Sequence, residues 1–138
     1  MKVIIAGSRM FDDYELAEER LDFFFSHRHP TEVISGGCSD SKGRLTFIRE
    51  DGTKVYGADG IGEKWASRRG IPVKIFLADW DKYGNSAGPI RNTQMGQYCT
   101  PHEDGAVVFW NRRSTGSGDM VRKAKKYHLK LREVIVSV

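Results

Sequence analysis

The chain contains no apolar run near the roughly 20 residues that a membrane-spanning helix requires, and it has only two cysteines, Cys38 and Cys99. The first shortage argues against a transmembrane helix and the second against a disulfide framework, so two free thiols are expected. With a first strand predicted from Lys2, no room is left for a signal peptide, and a cytoplasmic location is expected. The sequence has no HExxH motif, no Walker A sequence and no GxSxG elbow, which sets aside the enzymes those motifs define. Cys99 and His102 in "CTPH" have a spacing found in some metal sites, but no two further ligands lie nearby, so neither a metal nor a cofactor is expected. Low-complexity tracts and internal repeats are also missing.

What remains is a chain of 138 residues with an ordinary globular composition, long enough for one domain around one core. Lysine and arginine exceed aspartate and glutamate by 22 to 18, a formal charge of +4. This mild excess suits a phosphate-bearing partner, yet much of it lies in "RKAKKYHLKLR" near the C-terminus, where it reads either as a solvated helix face or as an anion-binding element.

Short apolar runs alternate with segments of helical period. "KVIIAG" (Lys2 to Gly7), "EVISGG" (Glu32 to Gly37), "PVKIFLA" (Pro72 to Ala78), "AVVFW" (Ala106 to Trp110) and "LREVIVSV" (Leu131 to Val138) read as strands of a sheet covered on both faces. The first helix is predicted to start at Asp12 as N-cap, with Glu15 completing a capping box and Phe11 stapled to Leu16; Leu16, Ala17, Leu21, Phe24 and Phe25 form its inward face. A second runs from about Gly60 to Arg69 with Ile61, Trp65 and Ala66 inward, stopped by Gly70 and Pro72. A third opens at "GPIRN" with Gly88 as N-cap and Pro89 at the first helical position. The fourth covers roughly Gly118 to His128, burying Met120, Val121, Ala124 and Tyr127. This alternation predicts an α/β fold: a Rossmann-like, mostly parallel five-stranded sheet with helices on both faces and right-handed crossovers.

In such sheets the ligand crevice lies beyond the carboxyl ends of the strands. The glycine-rich and hydroxyl-rich loops fall there: "AGSRMF" with Gly7, Ser8 and Arg9; "SGG" with Gly36 and Gly37; "ADWDKYGNSAGPIRN" with Arg91 and Asn92; and "WNRRSTGSG" with Ser114, Gly116 and Ser117. Small residues let backbone N–H groups turn toward an anion at helix N-termini, which predicts a site for an anionic small molecule.

The segments "KVIIAGSRMFDDYELAEERL", "VISGG" with "GADGIGEKWASRRGIPVKIFLADWDKYGNSAGPIRNTQM", and "VVFWNRRSTGSGDMVRKAKKYHLKL" resemble the YspA-like SLOG proteins, a branch of the superfamily that includes the DNA-processing DprA proteins and the cytokinin-activating LOG enzymes. The resemblance covers the chain apart from the stretch between Cys38 and Gly57. It implies a single SLOG-like Rossmannoid domain over residues 1–138 that binds a nucleotide or nucleotide-derived small molecule, such as an adenine nucleotide or an ADP-ribose-like compound, as a sensor or sequestering module and as a homodimer or higher homo-oligomer. The relatives leave two alternatives open, an N-glycoside hydrolase of phosphoribohydrolase type and a single-stranded nucleic-acid binder. No membrane partner is expected.

In members of this kind "SGG" runs almost directly into "GAD". Here a predicted β-hairpin is inserted at about 39–57, "LTFIRE-DG-TKVY", with Asp51-Gly52 as a type I′ turn signal. It reads either as a tolerated surface insertion or as a flap over the crevice or arm toward a second subunit.

For chemistry the candidates are Asp59 and Glu63, four residues apart on one helical face, and Arg91, whose planar fork suits phosphate. Asp59 can also bind ribose hydroxyls and Asn92 can orient a base or ribose, although acidic residues at a helix start equally complement the dipole. Trp80, Tyr83 and Trp110 offer stacking faces. The LOG-type enzymes place a catalytic Glu in a PGGxGTxxE motif after the fourth strand; the corresponding position here is Met120, in "STGSGDM". A thioether neither carries charge nor moves a proton, and Asp119 points about 100° away around the helix. Glu63 remains as a replacement from another helix.

Overall fold

The computed structural model describes residues 1–138. Strands β1 (Lys2–Gly7), β2 (Glu32–Ser35), β5 (Val73–Ile75), β6 (Gly105–Trp110) and β7 (Lys130–Ile135) form one sheet in the order β5-β2-β1-β6-β7. Every adjacent pair is parallel. The chain lays strands outward from β1 through β2 to β5, then returns to build β6 and β7 on the other side. The topological switch point therefore falls between β1 and β6, the place where open α/β sheets leave a crevice.

Alternation within the strands fills two cores. Val3 and Ile5 of β1 join Val33, Val107 and Phe109 beneath helices α1 (Tyr14–Phe24) and α2 (Gly57–Arg68), whose Ala17, Leu21, Ile61, Trp65 and Ala66 pack there. Ile4 and Ala6 face the opposite way with Ile34, Ala106 and Val108, against Met95 of α4 (Ala87–Tyr98) and Met120, Val121 and Ala124 of α5 (Thr115–Lys126). Truncating a wholly buried residue such as Leu21 to Ala would cost about 2–5 kcal/mol. No helix is long and apolar enough to cross a membrane.

Several predicted details are corrected. The cap of α1 is Asp13, whose carboxylate accepts from the Leu16 N–H at 3.1 Å, and Phe11 stacks on Phe109 at 5.0 Å between ring centroids where a staple to Leu16 was expected. Helix α2 begins at Gly57, three residues early, because the inserted hairpin delivers the chain directly to it. Ser86 caps α4, so Pro89 is its third residue and Arg91 its fifth; the segment before it folds into a short helix α3 (Trp80–Tyr83) and a 3-10 turn, Gly84–Ser86. Helix α5 starts at Thr115 and ends at Lys126, leaving Tyr127 as its half-buried cap.

The insertion forms an antiparallel hairpin of β3 (Leu45–Ile48) and β4 (Lys54–Tyr56) outside the main sheet. Its turn is not type I′. Gly52 alone has positive φ, at 87°, and its N–H donates to the Arg49 carbonyl while the Arg49 N–H donates to Thr53, which is a three-residue loop with the glycine in the left-handed position. The base of the insertion is pinched, since the Tyr56 N–H donates to the Cys38 carbonyl at 3.0 Å. The glycine loop after β2 and the start of α2 therefore stay adjacent despite the residues between them.

Candidate functional site

Two adjoining cavities open at the carboxyl edge of the sheet. The larger, about 550 Å³, is bounded by Gly36 to Asp40, by Arg49 and Thr53 of the hairpin, by Leu77, Ala78 and Trp80 after β5, and by Arg91. The smaller, about 100 Å³, lies at the switch point among Gly7, Gly36, Asp59, Arg91, Asn92, Gly116 and Ser117, with Met95 and Met120 among its walls. Gly36, Cys38 and Arg91 belong to both.

Arg91 forms the joint. One turn into α4, its Nη1 donates to the Gly36 carbonyl at 2.7 Å and its Nε to Asn92 Oδ1 at 3.0 Å. Gly36 permits this approach, for a Cβ there would sit 2.6 Å from Arg91 Nη1. The sequence placed Arg91 beside the free N–H groups of its own helix; it lies past them, and the free donors facing the small cavity come from α5. There Ser114 caps without a side-chain bond, leaving the N–H groups of Thr115, Gly116 and Ser117 without intrahelical acceptors. Asn92, buried, donates to Asp119 Oδ2 at 3.0 Å, and Lys123 reaches the same carboxylate at 3.0 Å while donating to the Pro89 carbonyl, so α4 and α5 are tied together behind the cavity.

Asp59 occupies the first turn of α2 and is 8% exposed. Its Oδ2 accepts from the Cys38 N–H at 3.0 Å. Burial pushes its pKa up to about 6, opposed by the Arg91 guanidinium and the Cys38 N–H and assisted by the nearby Glu63. The Cys38 thiol is pushed up as well, chiefly by burial and then by Asp59, and so is a poor nucleophile at neutral pH.

Glu63 shares the helical face of Asp59 but lines neither cavity. At 3% exposure it accepts from Arg49 Nε at 2.7 Å and Nη2 at 3.0 Å, and from Ser35 Oγ at 2.7 Å; that hydroxyl accepts in turn from the Gly37 N–H. The carboxylate is the clamp that holds the hairpin and the glycine loop to α2.

Of the residues singled out from sequence, Gly7, Gly36, Gly37, Asp59, Arg91, Asn92, Gly116 and Ser117 meet at the two cavities. Ser8, Arg9 and Ser114 do not. Ser8 is buried in the turn after β1, where its hydroxyl accepts from the Met10 N–H at 3.1 Å and its carbonyl from Phe11 and Ala58. Arg9 pairs with Asp40. Gly57, at φ 60°, lies under that same turn, and a Cβ on it would collide with the Arg9 backbone. Trp110 is core, its Nε1 donating to Glu133 at 3.1 Å, and Tyr83 lines neither cavity but borders a further hollow with Lys82, one that shares Leu77 and Arg91 with the larger cavity. Burial, and after it the Asp104 carboxylate, push the Cys99 thiol up to about 12, while His102 stacks on His128 at 4.9 Å. Of the C-terminal basic run, Arg122, Lys125, Lys126, Lys130 and Arg132 are exposed, and of its basic residues only Lys123 is half-buried.

Sequence reasoning missed Arg49, Thr53, Cys38, Leu77 and Ala78 as lining residues. The signal available for Arg49 and Thr53 was position alone: they belong to an insertion between the two halves of a glycine-rich loop.

Fold and crevice together define a Rossmann-like α/β protein with a divided, arginine-jointed cleft at its topological switch point. Across 132 residues, 91% of this chain and 89% of the relative, it is 29% identical to the Gene 61 protein of Mycobacterium phage D29. No family model and no solved structure matches it.

Proposed function

We propose that the protein binds a nucleotide or nucleotide-derived small molecule, of the adenine nucleotide or ADP-ribose kind, as a sensor or sequestering module. The observation that carries this reading is the placement of Arg91 where the two cavities join, opposite the unpaired N–H groups of α5. The smaller cavity takes a phosphate group, with the guanidinium and the helix N-terminus as donors. The larger takes the rest of the ligand. The resemblance to SLOG proteins supports a nucleotide-type ligand and adds the expectation of a homodimer or higher homo-oligomer, which sedimentation measures. A thermal-shift series with AMP, ADP and ADP-ribose tests it: at least one should raise the melting temperature of wild type through preferential binding to the native state, and at the same ligand concentration the rise should be much smaller for Arg91→Ala. If no nucleotide stabilises a protein shown to be folded, the reading fails.

One observation favours hydrolysis as a second reading: Asp59 faces the small cavity beside Arg91 with a pKa near 6, suited to proton transfer. Against it stands Met120, wholly buried at the position where the resembled hydrolases carry their Glu.

A further inference from the structure

The larger cavity has two unlike walls. One carries Leu77 and Trp80, which are 66% and 55% exposed although both are large and apolar; the other two tryptophans, Trp65 and Trp110, are buried. The other carries Arg49 from the hairpin. Leu77 and Arg49 come together at Gly37, where a Cβ would meet Leu77 Cδ2 at 2.9 Å and Arg49 Nη2 at 3.3 Å.

Arg49 is an unusual residue to find lining such a cavity. Two of its nitrogens are committed to Glu63, so its charge is balanced and its plane is fixed. A guanidinium held in this way attracts anions weakly, but its delocalised planar face remains able to stack on a π-system. Arg91 has a different setting: its hydrogen bonds go to the neutral Gly36 carbonyl and Asn92 amide, and its charge, shared only with the neighbouring Asp59, is not locked into a bidentate ion pair.

We propose that the inserted hairpin and the segment after β5 form a base subsite, in which the planar ring of a bound nucleotide lies against Trp80 with the Arg49 guanidinium as the facing shelf. This inference rests on the nucleotide reading above. The hairpin is then the element that discriminates a nucleotide from a bare sugar phosphate. The division of volume agrees: about 550 Å³ accepts a base with its ribose, whereas about 100 Å³ holds little more than a phosphate. The Glu63 clamp makes the subsite rigid, because the shelf is oriented before the ligand arrives, which spares the binding step the entropy of ordering that side chain.

Calorimetric titration of wild type, Trp80→Ala, Trp80→Phe and Arg49→Lys with adenosine 5′-monophosphate and with ribose 5-phosphate tests the assignment. Wild type should bind the nucleotide more tightly than the sugar phosphate. Trp80→Ala should weaken the nucleotide about tenfold or more, the usual loss when one stacking aromatic is removed, and leave ribose 5-phosphate unchanged. Trp80→Phe should restore much of the loss. Arg49→Lys keeps a cation for Glu63 but lacks the plane, and should also weaken the nucleotide alone; a melting curve for each variant verifies the fold. Nucleotide binding should quench the fluorescence of Trp80. If Arg91→Ala abolishes nucleotide binding while Trp80→Ala and Arg49→Lys leave it intact, the phosphate site stands and the base subsite is wrong. If wild type binds neither compound, and ADP and ADP-ribose do not bind either, both readings fall.

Discussion

Replacing Asp59 with Asn should alter the pH dependence of stability in a way that the site geometry specifies. Asp59 is 8% exposed, and its pKa is raised from 3.8 to about 6, mainly by burial. In the unfolded chain it titrates near the ordinary value of about 3.9. Between these limits the native state holds a proton that the unfolded chain has released, so stability falls as pH rises through the window and levels off above about pH 6. The displacement corresponds to about 3 kcal/mol of preference for the neutral acid, and that quantity is present below the unfolded pKa and lost above the folded one. Asparagine is neutral throughout, and its amide oxygen can still accept from the Cys38 N–H. The variant should match wild type near pH 4 and exceed it by up to about 3 kcal/mol near pH 8, judged by urea unfolding at a series of pH values. Subtracting the two profiles cancels every other titrating group. A difference that does not change with pH, or a variant less stable than wild type at pH 8, would refute the reasoning: Arg91 would then be stabilising the Asp59 carboxylate by more than burial penalises it.

Arg91→Ala should weaken nucleotide binding by about 1.5–3 kcal/mol, roughly tenfold to a hundredfold or more, with partial recovery in Arg91→Lys. It should also lower stability by about 1–3 kcal/mol, since the bonds to Gly36 and Asn92 are lost and Asp59 loses its counter-charge; calorimetry beside a melting curve reads both. Glu63→Gln should destabilise the fold, by less than the about 3–5 kcal/mol of a fully buried pair because Arg49 can turn to solvent, and increased proteolysis of the hairpin should accompany it. Incubation with nucleoside monophosphates should release little free base on chromatography, because the resemblance to the LOG-type enzymes puts Met120 where they carry their Glu; clear turnover that survives Glu63→Gln and is lost in Asp59→Asn would establish the hydrolase reading.

The candidate site was half legible in the sequence. Gly36, Gly37, Asp59, Arg91, Asn92, Gly116 and Ser117 were readable because each follows a strand, and strand ends in a parallel sheet converge whatever their separation along the chain. Arg49 and Leu77 were not, because a hairpin arm and a loop after a short edge strand carry no periodic signal that says which way a side chain turns. Glu63 shows the limit of periodicity most clearly. Spacing put it on the face of Asp59, and both are buried there, but the ion pair that occupies it comes from the hairpin, a long-range contact no local pattern records.

By itself the sequence determined the alternation of strands and helices, the inward faces of α1, α2 and α5, and the loops that gather at one edge, since all of these follow from periodicity and turn chemistry over a few neighbouring residues. The tertiary structure alone decided the strand order, the division of the crevice into two cavities, the folding of the hairpin onto α2 and the neutral state of Asp59 at acidic pH. Each of these depends on which distant surfaces exclude water from one another, and desolvation and packing are properties of the assembled chain rather than of any segment of it.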